Sequence, residues 1–252
     1  MGGTIQISQR PASGGQLHGF RHMAFGTPTL SGPRLAPARG PATQLVVLCH
    51  GYGADGNDLI GLAPHWQRLL PSAAFVAPNA PERCDAGPGF QWFPISRLEP
   101  QAMRRGVEGA AATLDGFLDA ELARLDLPGD RLALVGFSQG TMMSLHVGLR
   151  RKLRPAAIVG YSGLLADADT IAAQAPPPVL LIHGDSDPMI PADFLFVSAT
   201  ALGRAGIPVQ WHISPRTPHA IDEGGLDLGG TFLALALQGR LKPAGAVSCP
   251  IG

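Results

Sequence analysis

The stretch Arg131-Leu132-Ala133-Leu134-Val135-Gly136-Phe137-Ser138-Gln139-Gly140 decides the fold, together with residues 141–151 that follow it. Residues 131–137 form an apolar run of the length expected for a buried β-strand, and residues 139–151 have the pattern of an amphipathic helix. The glycines on either side of Ser138 permit a sharp turn between the two. The segment therefore predicts a strand, a tight turn and a helix, as found in sheets that are covered by helices.

Short apolar runs alternate with longer helical patterns from Gln44 onward. The predicted buried strands, each bounded by Gly, Pro or Asp, are 45–49, 73–77, 132–137, 156–161, 179–183 and 209–213. The predicted helices are 57–70, 101–125, 139–151, 192–205 and 226–241. This order predicts a single α/β domain with a mostly parallel central sheet and helices on both faces. The connection after Tyr161 is too short for an additional folded unit, so we expect no large lid.

The expected domain covers residues 31–242, after a flexible extension over 1–30 and before a tail over 243–252. Residues 1–40 are rich in Gly, Pro, Ser, Thr, Gln and Arg and lack a sustained apolar period. Such a composition does not bury enough apolar surface to offset the entropy lost on ordering. The alternative is a first strand within residues 23–35, because strands at the edge of a domain give weak patterns.

The charge balance and the cysteine content exclude several classes of protein. Lys plus Arg and Asp plus Glu number 19 each, so no broad field attracts polyanions, and we expect no nucleic-acid partner. Cys49, Cys84 and Cys249 are widely spaced and odd in number, which indicates a reducing compartment and predicts no disulfide framework. No apolar run reaches the roughly 18 residues of a membrane span, and residues 1–30 lack the apolar core of a secretory signal. We therefore expect a cytoplasmic protein without stable membrane insertion.

Ser138 is the candidate nucleophile because of its context. A Gly-x-Ser-x-Gly match alone is weak evidence in a chain with 33 glycines. Here the match joins a strand to a helix, which is the setting of a nucleophile elbow, where side chains at the flanking glycines would crowd the strand and helix. The structural alternative is that Ser138 only caps the helix. Ser144 and Ser162 lack this context and are interpreted as structural.

A serine hydroxyl is a weak nucleophile at neutral pH, so a histidine must take its proton and an acid must orient that histidine. In strand-turn-helix hydrolases the acid and then the histidine follow the serine in the chain. Asp185 and Asp187 follow strand 179–183 and compete for the role of acid; we favour Asp187. His212 lies inside strand 209–213, where a packed histidine is expected, and His219 ends the loop after it, so we favour His219 as the base.

Two backbone N–H groups are needed to stabilise the oxyanion of the tetrahedral intermediate. One is the N–H of Gln139, which follows the nucleophile, and the other comes from the loop after an earlier strand. The loop His50-Gly51-Tyr52-Gly53 follows strand 45–49 and is rich in glycine. We therefore predict Tyr52 N–H as the second donor.

The same loop matches a dinucleotide-binding fingerprint through Gly51, Gly53 and Gly56. An oxidoreductase is disfavoured because Asp55 would put a negative charge beside a pyrophosphate. The next strand, 73–77, also ends without an acidic residue for the ribose. We therefore expect no nucleotide cofactor.

The remaining histidines form no metal-binding pattern. His18 and His22 lie in the extension, and His65, His146 and His183 are isolated from one another, so we interpret them as structural. Neither a His-Glu-x-x-His motif nor a P-loop is present. No metal and no other cofactor are expected.

With these motifs in place, the chain resembles the carboxylesterase, lysophospholipase and acyl-protein thioesterase family of α/β hydrolases. The resemblance runs from about Leu45 to His219. The motifs that carry it are 48–56 (Leu-Cys-His-Gly-Tyr-Gly-Ala-Asp-Gly), Gln91-Trp92-Phe93, 136–140 (Gly-Phe-Ser-Gln-Gly), 183–188 (His-Gly-Asp-Ser-Asp-Pro) and Pro218-His219. The resemblance implies Ser138, Asp187 and His219 as a triad, Tyr52 and Gln139 as oxyanion donors, and a homodimer.

The resemblance also implies that the Trp92-Phe93 loop lies near the acyl site. Met189, two residues beyond Asp187, is a further candidate for substrate binding. Pro94 stands where acyl-protein thioesterases usually have an aspartate, which argues against acyl-protein substrates. The extension before the domain has no counterpart in the family.

The sequence therefore predicts a serine carboxylic ester hydrolase that acts through an acyl-enzyme on small esters with short or medium acyl chains. The alternative within the fold is a lysophospholipase or an acyl-protein thioesterase acting on longer chains. The alternative from another class is a catalytically silent hydrolase fold that binds a ligand, because one fold can host unrelated functions.

Overall fold

The structure is a computed structural model that describes residues 30–95, 98–167 and 176–241. The predicted extension and tail lie outside the described residues except for Leu30, whose side chain is buried in the core. The domain limits stay a prediction. The composition of residues 1–40 predicted a flexible segment, which is wrong for residues 30–40. Residues Arg34–Leu35 form a strand that pairs with the strand Ala73–Val76, as predicted by the alternative of an early strand.

A seven-stranded sheet forms the centre of the molecule. Its strands are β1 (Arg34–Leu35), β2 (Gln44–Cys49), β3 (Ala73–Val76), β6 (Leu132–Phe137), β7 (Ala157–Tyr161), β8 (Val179–Gly184) and β9 (Val209–Ser214). Their spatial order is β1-β3-β2-β6-β7-β8-β9, and every pair except β1 with β3 is parallel. Strands β4 (Glu82–Arg83) and β5 (Phe90–Gln91) form a separate hairpin. The predicted mostly parallel sheet is confirmed.

Helices cover both faces of the sheet. They are α1 (Gly56–Ile60), α2 (Ala63–Trp66), α3 (Pro100–Leu125), α4 (Gln139–Gly148), α5 (Asp193–Arg204) and α6 (Glu223–Leu237). Apolar residues of α3, α4 and α5 pack in one core, and those of α1, α2 and α6 pack in the other. In β2, Leu45 and Val47 face the first core and Val46 and Leu48 the second, since successive side chains point to opposite faces of a strand.

Three expectations about these elements are corrected by the structure. Strand β9 is not buried, because it is the edge strand after β8, and its Trp211 is 53% exposed. Helix α4 is not amphipathic: all ten of its residues are buried between the sheet and α3. The helix predicted over 57–70 is two short helices, α1 and α2, which are separated at Gly61–Leu62.

The parallel arrangement brings the carboxyl ends of β2, β6, β8 and β9 to one edge of the sheet. The loops after these four strands carry Tyr52, Ser138, Asp187 and His219, respectively. In open α/β sheets, ligands bind at this edge. In the described residues, no helix is long and apolar enough to cross a membrane.

Candidate active site

Ser138 lies in a strained turn between β6 and α4. Its φ and ψ angles are 54° and −115°, outside the regions that residues with a Cβ normally occupy. A Cβ at Gly136 would lie 2.4 Å from the Gly140 carbonyl carbon, and one at Gly140 would lie 1.9 Å from Cys49 O. Both glycines are therefore required for the helix to start this close to the strands.

The backbone around Ser138 is held from the neighbouring strand. Ser138 N–H donates to Tyr161 O at 2.9 Å, and Thr141 N–H donates to Ser138 O at 3.0 Å. Ser138 precedes the first residue of α4, but its side chain makes no capping hydrogen bond. The hydroxyl is thus not used as a helix cap, which removes the support for the structural alternative.

Asp187 and His219 meet through a direct hydrogen bond. His219 Nδ1 lies 2.7 Å from Asp187 Oδ2, and the two side chains are 20% and 0% exposed, respectively. The His219 ring also packs on Phe137, with 4.9 Å between the ring centroids. Because Phe137 precedes Ser138, this contact sets the imidazole beside the turn that carries the serine.

Asp187 is held as a carboxylate by its surroundings. Burial acts to raise its pKa, but hydrogen bonds from Ile190 N–H, from His219 and from Met189 N–H outweigh burial and lower the pKa below its ordinary value. The two N–H groups lie 2.9 and 2.8 Å from Oδ1. An ionised Asp187 can orient His219 and stabilise its protonated form.

The competing candidates lie elsewhere. Asp185 is exposed, and its carboxylate accepts a hydrogen bond from Ser186 Oγ at 2.8 Å. His212 lies in the middle of β9, opposite Ile182 of β8. Of the two candidate acids and the two candidate bases, the structure therefore brings together Asp187 and His219.

Two backbone N–H groups close to Ser138 are without hydrogen-bond acceptors among the described residues. They belong to Tyr52 and to Gln139, and Gln139 is the first residue of α4, where N–H groups lack helical partners. A Cβ at Gly51 would lie 3.2 Å from Ser138 Cβ. The loop of Tyr52 thus runs directly past the serine.

His50 braces this loop, a role that the sequence did not reveal. Its Nε2 accepts a hydrogen bond from Ala80 N–H at 2.9 Å, so the proton is on Nδ1, which donates to Gly51 O at 2.7 Å. Burial lowers the pKa of His50 and favours this neutral form, although the hydrogen bond to Gly51 opposes the shift. A histidine directly between a buried strand and a glycine loop is the signal that could have identified it.

Trp92 and Phe93, expected near the acyl site, have buried side chains that are 1% and 4% exposed. Trp92 Nε1–H donates to His50 O at 3.0 Å. A Cβ at Gly106 of α3 would lie 2.2 Å from the Phe93 ring, which shows how tightly the ring is packed. Trp92 therefore packs against the loop that carries Tyr52, and Phe93 packs against α3.

His183 and Met189 flank the Asp187 turn. His183 Nε2 lies 3.1 Å from Asp187 Oδ2 and 2.8 Å from Ile190 O, so a histidine interpreted as structural touches the candidate acid. Met189 is 66% exposed on the outer side of the turn. It is the one candidate substrate-binding side chain that is open to solvent.

The residues at the start of α1 do not fit a nucleotide. Asp55 caps the helix by accepting a hydrogen bond from Asn57 N–H at 2.7 Å, and the Asp58 side chain accepts one from Asp55 N–H at 2.9 Å. Two carboxylates thus occupy the place where a phosphate would bind. The described part of the chain also contains no group of three or more His, Cys, Asp or Glu side chains that could hold a metal ion.

Comparison with known proteins identifies the family of the chain. The sequence profile of the family described as phospholipase/carboxylesterase matches residues 31–237. Acyl-protein thioesterase 1 of Gibberella zeae is 29% identical over 220 residues, which are 80% of this chain and 94% of that protein. The protein of the same name from Schizosaccharomyces pombe is 32% identical over 171 residues, 64% of this chain and 75% of that protein.

The chain is also similar to solved structures. The crystal structure of esterase PE8 is 43% identical with a TM-score of 0.77, and the match covers 81% of this chain and 98% of that chain. Acyl-protein thioesterase 2 of Zea mays shares the fold, with 24% identity, a TM-score of 0.64 and coverage of 82% and 99%. Because the family profile spans most of the sequence, the chain belongs to the phospholipase/carboxylesterase family of α/β hydrolases.

Proposed function

We propose that the protein is a serine carboxylic ester hydrolase in which Ser138 is the nucleophile, His219 the general base and Asp187 the acid that orients His219. The observation that carries this proposal is the 2.7 Å hydrogen bond between His219 Nδ1 and Asp187 Oδ2, formed next to the strained turn of Ser138. The bond engages Nδ1 and leaves Nε2 of His219 as the nitrogen that takes the proton.

The reaction proceeds in two acyl transfers. Ser138 Oγ attacks the ester carbonyl carbon while its proton passes to His219 Nε2. The tetrahedral intermediate then collapses, and the alcohol leaves with the proton from His219. Water repeats the sequence on the acyl-enzyme, with His219 again as base, which releases the carboxylic acid and restores the serine.

The N–H groups of Tyr52 and Gln139 serve as the oxyanion donors. Both lack acceptors among the described residues, so they are available to a developing negative charge. Their positions are fixed by His50 on one side and by the Gln139 side chain on the other. Loss of one such donor typically lowers turnover by a factor of about 100 to 1,000.

The preferred substrates are small esters with short or medium acyl chains. The side chains of Trp92 and Phe93, which the family resemblance puts near the acyl site, are packed against His50 and α3, and we propose that they limit the length of the acyl chain. Met189, which is exposed and whose N–H bonds to Asp187, is proposed to contact the acyl or alcohol group. Pro94, which cannot supply the carboxylate usual in acyl-protein thioesterases, favours small esters.

A thioesterase acting on longer acyl chains is the second candidate. It is supported by the names of the relatives from Gibberella zeae and Schizosaccharomyces pombe, both acyl-protein thioesterases. The same three side chains and two N–H donors serve a thioester equally well, since only the leaving atom differs. A lysophospholipase would need an apolar groove for the chain.

A substrate panel separates these candidates. The panel uses wild type, Ser138→Ala and the control Ser144→Ala, which replaces a serine of the neighbouring helix inside the core. Each is assayed on p-nitrophenyl esters with acyl chains of about 2 to 16 carbons, on an acyl thioester and on a lysophospholipid. We expect the highest kcat/KM on short or medium esters, loss by a factor of at least about 1,000 in Ser138→Ala, and retention in Ser144→Ala.

Several outcomes would contradict the proposal. Retention of p-nitrophenyl butyrate turnover by Ser138→Ala would exclude this nucleophile. Higher kcat/KM on the thioester or the lysophospholipid would favour the second candidate. Failure of a fluorophosphonate probe to label Ser138 in the wild type would favour a silent hydrolase fold that binds a ligand.

A further inference from the structure

We infer that His183 is a positioning residue of the proposed site: its Nε2–H donates to Ile190 O and closes the turn that holds the Asp187 carboxylate against His219. The inference rests on the proposed function, because it assigns His183 a task only if Asp187 orients the base. Neither the order of motifs nor the pattern of the strand assigned His183 this task.

The geometry around His183 defines its protonation. His183 is the penultimate residue of β8 and is 1% exposed. Its Nε2 lies 2.8 Å from Ile190 O and 3.1 Å from Asp187 Oδ2. Both neighbours are acceptors, so Nε2 must carry the proton, and its single N–H donates to Ile190 O.

The turn closed by His183 supplies two of the donors around the Asp187 carboxylate. Oδ1 accepts from the N–H groups of Met189 and Ile190. Oδ2 accepts from His219 Nδ1 and lies 3.1 Å from His183 Nε2. Rotation of the carboxylate about its Cβ–Cγ bond would break these three hydrogen bonds at once.

His183 is also the link between this turn and the sheet. The hydrogen bond to Ile190 O closes the 187–190 turn over the end of β8. Without this bond, the turn would lose its tie to β8, and Asp187 would be held only by the N–H groups of the turn and by His219. The direction in which Oδ2 points, and with it the orientation of the His219 ring, would then vary.

The test compares substitutions that differ only in the donor. In His183→Gln the side-chain amide nitrogen reaches the place of Nε2, whereas in His183→Leu no donor remains, and in His183→Asn the amide is too short. We expect kcat on p-nitrophenyl butyrate to fall by about 10- to 100-fold in His183→Leu and His183→Asn, because a small misplacement of a catalytic group has effects of this size. KM should stay within about twofold, and His183→Gln should recover most of the loss.

A control and a second readout distinguish positioning from folding. His146→Leu removes another buried histidine that pairs with a carboxylate, Asp167, far along α4, and should lower stability without lowering kcat. The proton resonance of His219 Nδ1–H should broaden in His183→Leu and His183→Asn and remain sharp in His183→Gln. If His183→Leu does not fold, His183→Asn and His183→Gln provide the same contrast.

The inference is overturned if His183→Gln loses as much kcat as the variants without a donor, or if those variants retain wild-type kcat. Ser138→Ala distinguishes a wrong role for His183 from a wrong proposed function. If Ser138→Ala is inactive and His183→Leu is fully active, only the role of His183 is wrong. If Ser138→Ala is active, the proposed function itself is wrong.

Discussion

The side-chain oxygen of Gln139 accepts a hydrogen bond of 2.9 Å from the backbone N–H of Trp92. The side-chain nitrogen of Gln139 donates to Phe93 O at 2.7 Å. This fully buried amide therefore joins the first turn of α4 to the loop after β5. Since the N–H of Gln139 is a proposed oxyanion donor, the same residue supplies the donor and fixes the wall behind it.

We predict that Gln139→Ala destabilises the protein and slows the reaction even though it keeps the N–H group. Trp92 N–H and Phe93 O would be left buried without partners, at a cost of about 1–3 kcal/mol each. Urea unfolding measures the loss, and kcat on p-nitrophenyl butyrate should fall as well. Gln67→Ala, which removes an exposed hydrogen bond to Ala36 O, should change stability by less than about 0.5 kcal/mol; an equal loss in both variants would contradict the prediction.

The Asp187 carboxylate should make stability depend on pH in the acid range. Its pKa in the folded protein lies below the ordinary value of 3.8, so the unfolded chain takes up the proton first as pH falls. The stabilising contribution is therefore complete above about pH 4 and is lost as pH falls through the folded pKa. Urea unfolding from about pH 3 to pH 7 measures the free energy of unfolding of wild type and of Asp187→Asn. The difference between the two should shrink only at the acid end of this range. A constant difference would mean that Asp187 is not preferentially ionised in the folded state.

The strands were predictable because a parallel sheet covered on both faces needs continuous apolar runs. Five of the six predicted strands agree with β2, β3, β6, β7 and β8 within one residue at either end, and the sixth differs from β9 only by its exposure and by one residue. The two-residue strands β1, β4 and β5 carry no periodicity long enough to detect. Helix α4 was expected to be amphipathic, but even its polar residues Gln139, Ser144 and His146 are buried.

The site was easiest to predict where a motif lies within one loop or directly after a predicted strand. The turn at Ser138 and the loop at Tyr52 are local features, and their glycines identify them. The contacts of Gln139 with Trp92 and of His50 with Ala80 join residues 47 and 30 positions apart. Patterns along the chain do not reveal hydrogen bonds across such separations, nor could they choose between Asp185 and Asp187 by geometry.

Two glycines of the chain should respond to alanine in opposite directions. A Cβ at Gly140 would lie 1.9 Å from Cys49 O of β2, whereas a Cβ at Gly109 of α3 meets nothing within 4 Å. Gly140→Ala should therefore unfold the elbow, with a loss of about 3 kcal/mol or more and of all activity. Gly109→Ala should raise stability by about 0.5–1 kcal/mol with activity unchanged. Thermal unfolding and ester turnover measure both effects, and a tolerated Gly140→Ala would mean that β2 can move away from α4.

The strain at Ser138 predicts a conflict between stability and activity. A residue with a Cβ at φ 54° and ψ −115° costs about 1–3 kcal/mol, and glycine adopts these angles without that cost. Both Ser138→Gly and Ser138→Ala remove the nucleophile, but only Ser138→Gly relieves the strain. Glycine loses about 0.5–1 kcal/mol more than alanine through backbone entropy, so Ser138→Gly should be more stable than Ser138→Ala by about 1 kcal/mol. Paired urea denaturation of the two inactive variants measures this difference. Equal stabilities, or a more stable Ser138→Ala, would show that the turn is not strained and that the surrounding hydrogen bonds alone determine its shape.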